Sequence, residues 1–219
     1  MNGVMTRLAE LVLVPVIEIP DPDLAEPLAD ALLEGGLPCA EITFRTDGAA
    51  EAIATIARRY PQLLVGAGTV LSTEQVDQAL EAGAQFVVSP GFNPAVVEHA
   101  LNRGTAVLPG VCTPTEVEMA RQQGLDVVKF FPAEPAGGVR YLKALTGPYG
   151  FLGFVPTGGI DSEKLEGYLA LRQVIAVGGS WMAPFDVLAR REFATVVQRT
   201  REAVELVRRL RPTTVATPS

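Results

Sequence analysis

The sequence predicts a (βα)8 barrel opened by a short helix, and three observations carry that prediction. Short apolar runs recur along the chain at intervals of 20 to 26 residues. Helix start signals stand between them. Glycine or proline punctuates the carboxyl end of nearly every run. No Ser/Gly-rich or charged linker interrupts the series, so a single domain over residues 1–210 is expected, followed by a disordered tail at 211–219.

A short helix over residues 2–10 precedes the first run and is placed to plug the barrel bottom. The runs begin near Leu13, Pro38, Leu63, Gln85, Ala106, Asp126, Leu152 and Gln173. Most are rich in Val, Ile, Leu or Phe, as suits parallel strands buried on both faces. After the first strand, Asp21-Pro22 reads as an N-cap followed by proline at the first helical position, and Asn93-Pro94 repeats the signal after the fourth. The stretches 72–75 and 113–116 read as capping boxes, Ser72 with Gln75 and Thr113 with Glu116. Apolar residues then fall at helical spacing: Val76, Ala79 and Leu80 in one segment, Leu165, Tyr168 and Leu169 in another. A last helix over 190–209 carries Phe193, Val196, Val197, Val204 and Leu206. A doubly wound open sheet is the competing architecture. A leucine-rich solenoid has a similar period, but its Leu/Asn signature is missing.

Composition removes several functions. The chain has 219 residues with 18 basic and 25 acidic side chains, a net charge of −7. That balance argues against a nucleic-acid partner, which needs a basic face. The apolar run at 11–17 is too short to span a bilayer and contains Pro15. Glu18 follows it, and the first twenty residues lack a clustered basic region, so no signal peptide and no membrane partner are read and a cytoplasmic protein is expected. Cys39 and Cys112 share no metal-ligand spacing and read as free structural thiols. The one histidine, His99, excludes a multi-histidine metal site and reads as a helix-surface or packing residue.

In such a barrel, chemistry belongs at the carboxyl ends of the strands. Side chains alternate along a strand, so Glu41, Thr43 and Arg45 share one face and Ile42 and Phe44 the other. In the sixth strand Val127, Lys129 and Phe131 share a face, opposite Val128 and Phe130. The apolar sets suit the helix layer, which places Glu41, Thr43, Arg45 and Lys129 in the barrel mouth. Only three lysines exist. Lys143 and Lys164 lie in helical patterns where a solvated ammonium is ordinary; Lys129 interrupts a buried strand. Two readings stand for it: a structural ion pair with Glu41, or a nucleophilic amine among apolar walls. Glu41 is either the partner that satisfies a cation or a general acid/base. Arg45 is either a strand-end surface residue or a fork-shaped cation for a carboxylate. Glu18 either lines the mouth or is a buried acid with a local partner. Thr157-Gly158-Gly159 and Gly178-Gly179-Ser180 close the last two strands, as turns or as an amide-lined phosphate site.

Taken together, these residues resemble the 2-keto-3-deoxy-6-phosphogluconate / 4-hydroxy-2-oxoglutarate aldolase family. The likeness runs from about residue 14 to 204. It rests on Glu41-Ile-Thr-Phe-Arg-Thr46, Val65-Gly-Ala-Gly-Thr-Val70, Ser89-Pro-Gly91, Lys129-Phe-Phe-Pro-Ala-Glu134, Pro156-Thr-Gly-Gly-Ile160 and Gly178-Gly-Ser-Trp181, in that order. The resemblance implies a class I aldolase on this barrel, a homotrimer without metal or other cofactor. It implies Lys129 as the Schiff-base lysine and Glu41 as acid/base. It places Arg45 and Thr69 on the pyruvyl carboxylate, Pro90 and Phe131 as apolar walls, and Thr157 lining the site. Gly158, Gly159, Gly179 and Ser180 would hold a distal phosphate. Glu18 departs from the more apolar or basic residue expected at its position. Galactonate-series cleavage, a non-covalent phosphosugar isomerase or epimerase, and a sugar-phosphate binding protein are the alternatives.

Overall fold

A computed structural model describes residues 3–211. Eight parallel strands, β1 Leu13–Ile17, β2 Cys39–Thr43, β3 Leu64–Gly68, β4 Phe86–Ser89, β5 Ala106–Val111, β6 Val127–Phe130, β7 Gly153–Pro156 and β8 Val177–Gly179, lie in the order β7-β6-β5-β4-β3-β2-β1-β8. Two isolated bridges, Phe154 to Val174 and Thr157 to Gly178, join β7 to β8 and bring the sheet to near closure. The result is the (βα)8 architecture, and the open-sheet alternative falls.

The surrounding helices are α2 Ala25–Glu34, α3 Ala49–Arg59, α4 Thr73–Glu81, α5 Pro94–Asn102, α6 Pro114–Gln122, α7 Gly138–Thr146, α8 Leu165–Leu169, α9 Phe185–Ala189 and α10 Phe193–Leu210, with α1 Gly3–Leu11 ahead of the barrel. Their caps follow the local chemistry. Asn93 accepts from the Ala95 N–H, and Thr113 with Glu116 forms a full capping box. Ser72 forms only half of one: it accepts from the Gln75 N–H, while Gln75 turns its carbonyl to the Leu71 N–H instead. Asp21 caps a 3₁₀ turn, Pro22–Leu24, that leads into α2.

Two boundaries differ from the sequence pattern. Pairing of the eighth strand does start near residue 173, where Gln173 and Ile175 bond to Phe154, but it breaks off and the regular strand resumes only at Val177. The expected helix over 190–209 begins instead at Phe193, after the separate α9. Arg191 adopts a positive φ of 57° between them, which no helix tolerates. Within α10, Val196, Thr200, Ala203 and Val207 are buried, whereas Val197, Val204 and Leu206 lie only partly covered. Of the expected tail at 211–219, all but Arg211 lies outside the described residues.

The interior dictates the small residues of β3. Gly66 pairs with Glu41 and Gly68 with Thr43, so both glycines face inward with them. A Cβ on Gly66 would strike the Phe86 ring, which fills the barrel beneath the mouth.

Candidate active site

The mouth holds a cavity of about 410 Å³ at the carboxyl ends of the strands. Lys129 rises into it from β6 and is 5% exposed; Glu41, on β2 across the barrel, is 2% exposed. Their Nζ and Oε1 atoms stand 3.4 Å apart. The Lys129 amine also lies 5.1 Å from the centre of the Phe131 ring.

Glu41 fits because Gly68 has no side chain. A Cβ there would come within 2.8 Å of the Glu41 Cγ and 2.9 Å of its Cδ. Next to this pair, Thr43 donates to the Ile17 carbonyl and ties β2 to β1. Arg45, just past β2, reaches Glu18 of the β1 end at 3.4 Å. Thr69 takes a left-handed φ of 57°, an unfavourable setting for a β-branched residue, directly on the cavity wall.

Of the residues singled out for the mouth, Thr43 is buried on β2 and lies outside the cavity lining. Arg45, Thr69, Pro90, Lys129, Phe131, Thr157, Gly158, Gly159, Gly179 and Ser180 line the cavity, with Glu41 at its floor. Glu18 lines the mouth and meets Arg45, but its side chain is 36% exposed, so the reading of a buried acid falls. Val16, Ile160, Trp181 and Phe185 also line it. Val16 was open to detection, since it alternates with Glu18 on β1. Trp181 and Phe185 lie beyond the last strand, where alternation gives no signal. Gly68 carries no chemistry of its own and escapes any search by residue type.

Away from the mouth, His99 on α5 pairs with Asp77 at 3.0 Å, a helix-layer contact. Both cysteines are free. Burial pushes the Cys39 thiol well up, and burial with the nearby Glu116 raises Cys112, so neither is a reactive thiolate. Lys164 is exposed, as expected, and in addition bonds its amine to the Gly159 carbonyl at 3.0 Å and to Asp161 at 2.7 Å.

Fold and site define a class: a barrel enzyme with a sealed amine beside a sealed acid at the floor of a ligand-sized mouth. The family described as KDPG and KHG aldolase matches residues 4–199. The 2-dehydro-3-deoxy-phosphogluconate aldolase of Treponema pallidum is 47% identical over 207 residues, 94% of this chain and 99% of that protein. The KHG/KDPG aldolase of Escherichia coli K12 is 42% identical, covering 88% and 90%. A solved structure of the Legionella pneumophila KDPG aldolase, with pyruvate captured at low pH as a covalent carbinolamine intermediate, is 34% identical with a TM-score of 0.89, covering 92% and 98%. This chain belongs to the KDPG and KHG aldolase family and is accordingly a lyase. Among the described residues no helix is long and apolar enough to cross a membrane.

Proposed function

We propose that the enzyme cleaves 2-keto-3-deoxy-6-phosphogluconate to pyruvate and glyceraldehyde 3-phosphate, and 4-hydroxy-2-oxoglutarate to pyruvate and glyoxylate. The observation that carries this reading is the Lys129 amine, sealed at the cavity floor 3.4 Å from Glu41.

The chemistry follows from those two groups. Neutral Lys129 adds to the C2 carbonyl of the keto acid. The carbinolamine loses water as Glu41 shuttles the protons, leaving a protonated imine. Glu41 then takes the proton of the C4 hydroxyl. The C3–C4 bond breaks, its electron pair flowing to the positive imine nitrogen, and the aldehyde departs. The enamine is protonated at C3, and water hydrolyses the imine to pyruvate and free Lys129. No metal or further cofactor enters any step.

The remaining roles are binding roles. Arg45 exchanges Glu18 for the substrate carboxylate, assisted by Thr69, and so orients the carbonyl toward the amine. Pro90, Phe131 and Thr157 form the walls. Gly158, Gly159, Gly179 and Ser180 take the phosphate, whose binding energy is remote from the breaking bond. Residues 1–210 act as one barrel unit, assembled as a homotrimer in the cytoplasm, without nucleic-acid or membrane partners.

Borohydride added with pyruvate tests the core of this reading. Mass analysis should find the reduced adduct on Lys129 alone. An unmodified Lys129 in enzyme that still turns over would end the covalent mechanism and favour the isomerase or binding-protein alternatives. Side-by-side kinetics on gluconate- and galactonate-series substrates decide the stereochemical series.

A further inference from the structure

The turn after β7 has a feature that its glycines alone do not explain. Three successive carbonyls are tied back, away from the mouth. Ala133 donates its N–H to the Thr157 oxygen at 2.8 Å, and Glu134 donates to the Gly158 oxygen at 3.0 Å. The third, the Gly159 oxygen, has no backbone partner and is held by the Lys164 amine at 3.0 Å. In a trans peptide the carbonyl and the next N–H point in opposite directions. Tying back the Gly158 and Gly159 oxygens therefore turns the N–H groups of Gly159 and Ile160 the other way, toward the cavity that both residues line. The Thr157–Gly178 bridge aims the Gly158 N–H at the Gly178 carbonyl of β8, whereas among the described residues the Gly159 and Ile160 N–H groups meet no acceptor. Gly158 and Gly159 hold φ of 106° and 78°, a backbone region that glycine enters without steric cost.

Two of the three ties are backbone and are insensitive to side-chain identity. The third is not. Lys164 is itself fixed by Asp161, which accepts from its amine at 2.7 Å and from its backbone N–H at 3.2 Å. We infer that Lys164 is a positioning residue for the phosphate subsite: it fixes the Gly159–Ile160 peptide so that its N–H faces the anion, without touching the substrate itself. The inference rests on the reading of this turn as the phosphate cradle.

The test is a kinetic comparison of two substrates with a phosphate probe. Lys164→Met keeps the apolar stem and removes the donor. It should raise KM for 2-keto-3-deoxy-6-phosphogluconate roughly fivefold to tenfold, the loss of one solvent-exposed hydrogen bond of ordinary strength. The inhibition constant of inorganic phosphate, measured against cleavage of 4-hydroxy-2-oxoglutarate, should rise by the same factor. The kcat for both substrates and the KM for 4-hydroxy-2-oxoglutarate should hold, and Lys164→Arg should restore part of the loss. Equal KM shifts for both substrates, or none, would overturn the inference. So would a defect that vanishes at high salt, since the amine would then act as a distant charge. Wild-type enzyme that phosphate does not inhibit, and that gains nothing from a phosphorylated substrate, would instead overturn the cradle reading on which the inference stands.

Discussion

At the floor of the mouth the polar groups are two side chains, Lys129 and Glu41, nearly sealed from solvent and facing one another across the barrel. At the β7 rim they are backbone N–H groups, turned toward the cavity by partners standing behind them. The contrast separates two ways of building a site. A side-chain site is carried by residue type, and one substitution removes its chemistry. A backbone site is carried by whatever holds the peptides in place, and the residues that matter to it are not those that touch the ligand.

The largest effect should come from the floor. Lys129→Met removes the proposed nucleophile and should lower kcat by roughly 10⁴-fold or more. It also leaves Glu41 buried without its cation, so a thermal melt should accompany the assay; a well-folded variant with near wild-type turnover would collapse the contrast. Gly68→Ala probes the same floor from behind. The added methyl meets the Glu41 side chain, and a displacement of about 1 Å there should cost on the order of 100-fold in kcat. Little change in the melt and little in KM are expected, because the strand itself accommodates alanine. The rim should respond less, and only for one substrate. Ser180→Asp sets a negative charge against the phosphate and should raise KM for the phosphorylated substrate roughly thirtyfold, screened by the open mouth. Cleavage of 4-hydroxy-2-oxoglutarate should change little. Equal losses on both substrates would erase the distinction between floor and rim.

Much of this was legible before any coordinates. Strand alternation alone put Glu41 and Lys129 on inward faces, and the register confirms the geometry: Gly110 stands beside Lys129, and Gly66 beside Glu41. Asn93 and Thr113 announced α5 and α6 because caps are local devices. The failures have a common cause. The start of α10 was misplaced because Arg191 breaks the helix through backbone conformation, which an arginine does not advertise. Lys164 is solvated as read, but its bond to the Gly159 carbonyl was out of reach, because the sequence records no carbonyl directions. Gly68 was passed over because its importance lies in the Glu41 carboxylate on the neighbouring strand.

The sequence by itself favoured the barrel, set the faces of the second and sixth strands and brought Lys129 and Glu41 to one mouth. These follow from periods of two and near 3.6, and from the cost of burying charge, all of which are written in residue type and spacing. Only the tertiary structure decided which empty positions make room for a side chain and which peptides turn their N–H groups to the mouth. Those depend on contacts the residue types do not record, Gly68 against Glu41 and Lys164 behind Gly159, and closing the barrel is what brings them to one cavity.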